Sequence, residues 1–115
     1  MKTLLAALAL FLTLGVAQAH THLKSSTPAD QAILAAAPRQ VVLQFSEPTR
    51  LTAVTIQKEG DKNETAVSVL PKDAAASVTL PVEVSGPGAY KLNWRAVGPD
   101  NHVMSGSIRF TVSAK

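Results

Sequence analysis

The histidines of this 115-residue chain fall in two short segments. His20 and His22 are separated by a single residue, and His102 ends the segment Pro99-Asp100-Asn101-His102. Asp100 and His102 are two positions apart, so an extended backbone would project both side chains to the same side. A carboxylate oxygen and an imidazole nitrogen placed in this way are suited to ligate a single metal ion.

A predicted cleavage would give His20 a second metal-binding group. A positive start, the apolar run Leu4–Val16 and the small-x-small segment Ala17-Gln18-Ala19 form the pattern of a secretory signal peptide. The apolar run is too short to span a bilayer as a helix. We therefore predict that residues 1–19 are removed and that residues 20–115 form the mature, exported domain, most consistent with a bacterial periplasm. Cleavage after Ala19 would give His20 a free α-amine beside its own imidazole, and these two nitrogens can chelate one ion.

Together with Asp100 and His102, the chelating pair of His20 makes a set of three nitrogens and one oxygen. Such a set is typical of Cu(II) or Ni(II), and Cu(II) has the highest affinity among the divalent first-row metals. The chain has no cysteine, and its sole methionine after residue 19 is Met104. Because Cu(I) prefers sulfur ligands, we predict no dedicated Cu(I) site and expect Met104 to have a packing role.

Two further residues have open roles. His22 lies third from the predicted free amine, so His20-Thr21-His22 could bind Cu(II) or Ni(II) through the amine, two deprotonated amides and the His22 imidazole. In that mode Asp100 and His102 would be unused; alternatively, His22 is a solvated strand residue. Glu47 is either an acceptor for the free N–H of a metal-bound histidine or a strand-end carboxylate in water.

The elements that must position these residues are predicted to be short strands. Apolar and polar residues alternate in several runs, which is typical of antiparallel sheets with one face in water. The clearest runs are Val41–Ser46, Val54–Gln57, Tyr90–Ala96 and Ile108–Ser113, and weaker ones are Thr65–Leu70 and Ser77–Val82. Glu47-Pro48 and four Gly- or Pro-containing segments are predicted turns between them. Asp30–Ala37, which is followed by Pro38, is predicted to be a helical turn or a loop. About seven strands at this spacing favour a β-sandwich or barrel.

Composition excludes several function classes. Without cysteine the chain has no disulfide scaffold, no cysteine-based metal site and no thiol nucleophile. The net charge is +3, and lysines and arginines do not cluster along the sequence, so nucleic-acid binding is not expected.

These residues, taken together, resemble the CopC family of periplasmic copper-resistance proteins. The resemblance covers residues 20–115. It rests on the signal peptide ending before His20 and on four segments in order: Ser26–Asp30, Val42–Pro48, Tyr90–Arg95 and Asp100–Val112.

The resemblance implies an all-β, immunoglobulin-like antiparallel β-sandwich or Greek-key barrel. It also implies one Cu(II) per chain held by an N-terminal histidine brace, with the amine and imidazole of His20, Asp100, His102 and, in some members, an early histidine such as His22 as ligands. Because the chain lacks a methionine-rich loop, it is similar to the single-site Cu(II) subgroup. A CopD-type membrane partner is further implied.

Three functions follow as expectations. The first is a non-catalytic, monomeric copper carrier or buffer in copper homeostasis and resistance. The second is an oxidase or monooxygenase, since lytic polysaccharide monooxygenases also use a copper histidine brace, although an anionic Asp100 ligand would disfavour oxygen activation. The third is a structural sandwich module without metal affinity beyond that of the N-terminal tripeptide.

Overall fold

The computed structural model describes residues 21–113, and the predicted signal peptide and His20 lie outside this range. Residues 21–113 form strands and no α-helix, so none of them belongs to a helix that could cross a membrane. The seven strands are β1 (Leu23–Thr27), β2 (Ala32–Leu34), β3 (Gln40–Lys58), β4 (Thr65–Ala66), β5 (Ala75–Pro81), β6 (Gly88–Val97) and β7 (Val103–Val112). The predicted all-β fold of about seven strands is confirmed.

The 19-residue strand β3 belongs to both layers of the sheet. Its first half pairs with β1 and β5, and its second half pairs with β4 and β6. The prediction of a turn at Glu47-Pro48 is wrong, because the chain bends there and continues as a strand. Pro48 has no N–H to give to a ladder, and the pairing with β5 shifts register between Gln44 and Thr49. Thr49 is fully buried, and its hydroxyl donates to the Glu47 carbonyl at 2.8 Å.

The segment Asp30–Ala37, predicted as a helical turn or loop, contains strand β2 instead. This strand runs parallel to β7, the last strand of the β3-β6-β7 layer. Two hydrogen bonds fix the entry to β2: the Gln31 N–H donates to the Arg109 carbonyl at 2.6 Å, and the Arg109 N–H donates to Asp30 Oδ1 at 2.8 Å. Pairing with a preformed edge therefore overrides the helical composition of this short segment.

The apolar residues that alternate with polar ones along β3, β6 and β7 form much of the core. Residues that point inward from these strands and from β5 are almost fully buried, and the most completely buried large side chains are Leu43, Leu80, Leu92 and Phe110. Trp94, the sole tryptophan, packs edge-on against Phe45 with ring centroids 5.3 Å apart. Gly106 lies opposite Trp94 on β7. A Cβ at Gly106 would lie 2.7 Å from Trp94 Cζ2, so the indole occupies the space that a side chain would need.

The contact between Trp94 and Gly106 predicts a large effect of adding one methyl group. Gly106→Ala should lower the free energy of unfolding by about 1–3 kcal/mol, because the new Cβ overpacks the core against the indole. Ser105→Ala is the matched control; its side chain is exposed, and the change should stay within about 0.5 kcal/mol. Urea denaturation followed by circular dichroism measures both, and equal stabilities of the two variants would contradict the packing described.

Candidate metal centre

The five-residue turn between β6 and β7 carries two of the predicted metal ligands. The Val97–Val103 pair closes the ladder, and Asn101 N–H donates to the Gly98 carbonyl at 2.9 Å. The Gly98 N–H donates back across the turn to the His102 carbonyl at 3.1 Å. Asn101 adopts a φ of 68°, a left-handed conformation that asparagine tolerates better than most residues.

The turn brings Asp100 and His102 into direct contact. Asp100 Oδ2 lies 2.7 Å from His102 Nδ1, and the His102 backbone N–H donates to Asp100 Oδ1 at 3.2 Å. Both side chains are open to solvent. The proximity arises from the turn at Asn101 and not from the extended backbone that the sequence predicted.

This contact sets the electrostatics of the pair. The hydrogen bond from the His102 ring, followed by the one from its backbone, holds the pKa of Asp100 below its ordinary value. An ionised carboxylate is an acceptor, so His102 Nδ1 carries the proton in this contact. With the proton on Nδ1, the nitrogen of His102 that could bind a metal ion is Nε2.

Thr21, the first described residue, lies against the same turn. Its hydroxyl donates to Glu47 Oε1 at 3.0 Å. A Cβ built on Gly98 would lie 3.2 Å from Thr21 Oγ1 and 3.4 Å from Asp100 Oδ1, so Gly98 lets Thr21 approach the turn closely. Glu47, whose role the sequence left open between a histidine N–H acceptor and a carboxylate in water, accepts the hydroxyl of the residue that follows His20.

His22 is tied to β3 through its backbone. Its N–H donates to Ser46 Oγ at 3.0 Å, and its carbonyl accepts the Ser46 N–H at 2.8 Å. The side chain of His22 is exposed. The N-terminal segment is thus anchored beside Glu47, at the bend of β3.

Within residues 21–113, no three histidine, aspartate or glutamate side chains come together as a metal-binding group. This described part of the chain supplies the pair Asp100 and His102, while His20 lies outside it. Met104 is half-buried and packs against the core, as expected from the sequence. Sequence reasoning missed Thr21, Ser46 and Gly98, since their contacts with Glu47, His22 and Asp100 depend on pairing between distant segments.

Residues 23–113 match the family model described as the CopC domain. The chain belongs to the CopC family. It is 36% identical over 115 residues to Copper resistance protein C of Escherichia coli, covering 88% of this chain and 90% of that protein. It is 35% identical to Copper resistance protein C of Pseudomonas syringae pv. tomato, covering 84% of this chain and 83% of that protein.

Solved structures of this family share the fold. The crystal structure of CopC from Methylosinus trichosporium OB3b aligns with a TM-score of 0.67 at 24% identity, covering 83% of this chain and 95% of that one. The E. coli structure described as PcoC, a methionine-rich copper resistance protein, aligns with a TM-score of 0.60 at 34% identity, covering 83% of this chain and all of that one. These neighbours support the predicted β-sandwich.

The geometry of the Asp100–His102 pair predicts a measurable shift in the metal-free protein. The Asp100 carboxyl should titrate below the ordinary range of an aspartate, and His102→Ala should raise its pKa toward that range by removing the side-chain hydrogen bond. A lowered pKa in the folded state stabilises the fold above the unfolded pKa, and this contribution disappears as the pH falls through the folded pKa. Carbon-detected NMR titration in the presence of a chelator measures the Asp100 pKa, and an unchanged value in His102→Ala would contradict the contact.

Proposed function

We propose that this CopC-family protein binds one Cu(II) through a histidine brace and carries or buffers it in the periplasm, without catalysis. The ligands are the α-amine and imidazole of His20, together with Asp100 and His102. The observation that carries the proposal is the position of Thr21, held between Glu47 and the turn that bears Asp100 and His102.

The position of Thr21 supports His20 as the missing ligand. Consecutive Cα atoms are about 3.8 Å apart, so a residue bonded to Thr21 starts within side-chain reach of the turn. If the chain begins at His20, its amine and imidazole enter the same small region as the Asp100–His102 pair. Glu47 then acts through Thr21, as a positioning residue for the chain start.

The chemistry of this set favours Cu(II) among physiological metals. Three nitrogens and one carboxylate oxygen suit a tetragonal Cu(II) ion, whereas Cu(I) prefers sulfur. The carboxylate of Asp100 adds a negative charge that favours the higher oxidation state. Relatives of this chain are named copper resistance proteins, which supports copper as the ion.

The contacts of His22 count against the competing tripeptide site. In that mode the amide nitrogens of Thr21 and His22 would lose their protons and bind the metal. The His22 N–H is committed to Ser46 Oγ, and the His22 carbonyl accepts from Ser46. Wrapping the tripeptide around copper would break this pairing with β3. The brace leaves these hydrogen bonds intact, so it disturbs the folded chain less.

A carrier must also release its ion. If a thiol or another one-electron donor outside the chain reduced the bound Cu(II) to Cu(I), this sulfur-free ligand set would hold the ion more weakly, and that would provide a release step. A CopD-type membrane transporter is the proposed receiver. In support, the chain is 31% identical to part of Copper transport protein CutJ of Bacillus subtilis, covering 82% of this chain but 18% of that protein.

Cu(II) affinities of three chains beginning at His20 test the proposed ligands: the parent, His102→Ala and His22→Ala. The first variant should lose more than about a hundredfold in affinity, since even residues that only orient a ligand contribute about 10- to 100-fold. His22→Ala should remain close to the parent. The reverse ranking, measured by competition with a chelator of known affinity, would assign the copper to the N-terminal tripeptide.

The role of the free amine needs its own control. A chain that keeps residues 1–19 has no amine at His20, and it should bind Cu(II) much more weakly than residues 20–115. Equal affinities of the two chains would contradict the brace while leaving His102 as a ligand.

A further inference from the structure

Gly98 is a glycine that its backbone conformation does not explain. Unlike Gly60, Gly86 and Gly88, it does not have a positive φ angle, so a residue with a side chain could adopt the same backbone. Gly98 is buried at the start of the turn between β6 and β7. The reason for a glycine at this position therefore lies in the space around its Cα atom.

That space is occupied by the start of the described chain and by a proposed ligand. A Cβ at Gly98 would lie 3.2 Å from Thr21 Oγ1, 3.4 Å from Thr21 Cβ and 3.4 Å from Asp100 Oδ1. Carbon atoms in ordinary contact are about 3.5–4.0 Å apart. Thr21 and Asp100 thus both border the place where a side chain at position 98 would lie.

Hydrogen bonds restrain both neighbours. Asp100 is bonded twice to His102, at 2.7 Å to the ring and at 3.2 Å to the backbone N–H. The Thr21 side chain is bonded once, to Glu47 Oε1 at 3.0 Å. Gly98 itself is fixed in the turn, because its N–H donates to the His102 carbonyl at 3.1 Å. A methyl group at position 98 would therefore displace Thr21 from the turn before it displaced Asp100.

We infer that Gly98 is a positioning residue that keeps the chain start on the turn and thereby selects the histidine brace over the tripeptide site. The inference rests on the proposed function and concerns the binding mode at the same site. With Thr21 against Gly98, the residue bonded to Thr21 stays close to the Asp100–His102 pair. A side chain at position 98 would move the two halves of the brace apart.

The two binding modes depend differently on this contact. The brace joins two segments that are distant in the sequence, so its affinity depends on their being held together before the ion arrives. The tripeptide site consists of consecutive residues and does not use the turn. Residues that only orient a ligand contribute about 10- to 100-fold to metal affinity. We expect the lower end of that range for Gly98, since one methyl group would move its neighbour by a few tenths of an ångström.

The Cu(II) affinity of Gly98→Ala, in the chain of residues 20–115, tests the inference. It should fall about tenfold. Val103→Ala is the matched control, because Val103 follows His102 directly but is 67% exposed, and its affinity should stay within about twofold of the parent. Urea denaturation of the metal-free chains establishes that both variants are folded.

The visible absorption of the bound Cu(II) separates a change of binding mode from a general loss of affinity. Deprotonated amide nitrogens are stronger-field ligands than a carboxylate oxygen, so the copper band of the tripeptide site lies at shorter wavelength than that of the brace. Gly98→Ala should shift the band to shorter wavelength. Adding His22→Ala to this variant should remove the shift, because the tripeptide site then lacks its imidazole.

A double-mutant cycle with Thr21→Ala locates the effect. Thr21→Ala removes the hydroxyl nearest to the added methyl group, so in that background Gly98→Ala should cost much less affinity than in the parent. Equal costs in both backgrounds, or a parent-like affinity and spectrum of Gly98→Ala, would overturn the inference and leave the proposed function standing. A parent whose affinity falls in His22→Ala but not in His102→Ala would overturn the proposed function and this inference together.

Discussion

The bend of β3 at Glu47–Thr49 is the constraint on which the rest of the structure depends. Because one strand continues through the bend, its first half pairs with β1 and its second half with β6. Ser46 on one side of the bend holds His22, and Arg50 on the other side pairs with Val97, directly before the turn that carries Asp100 and His102. Two segments about eighty residues apart thereby meet at one end of the sandwich.

The buried hydroxyl of Thr49 stabilises this bend. Thr49 is the one polar side chain among the buried residues of the described region, and its bond to the Glu47 carbonyl satisfies a group that a proline-disrupted ladder would leave unpaired. The same bend presents Glu47 to Thr21. Fold stability and site assembly are therefore coupled through three consecutive residues of β3.

Sequence periodicity was sufficient to predict the strands that are long and have one face in the core. The alternation over Tyr90–Ala96 and Ile108–Ser113 predicted β6 and β7, because one face of each is in the core. It failed at Glu47-Pro48, where proline suggested a turn, since a bulge accommodates proline without ending the strand. It failed again at β2, whose parallel pairing with β7 depends on an edge that no local pattern reveals.

The candidate site was likewise predicted only in part from the sequence. Residue chemistry singled out His20, Asp100 and His102 from their types and the predicted cleavage. Asp100 and His102 were expected to lie on the same side of an extended backbone, whereas the turn at Asn101 brings them into direct contact. Thr21 and Gly98 could not be found, because their roles depend on a close approach between distant segments.

X-ray absorption at the copper edge tests most directly whether Cu(II) joins the chain start to the Asp100–His102 turn. The spectrum of the 1:1 Cu(II) complex of residues 20–115 should show nitrogen and oxygen neighbours without sulfur, and multiple scattering from two imidazoles. One imidazole would be lost in His102→Ala. A parent spectrum with a single imidazole that is unchanged in His102→Ala would contradict the account, because the copper would then lie in the N-terminal tripeptide.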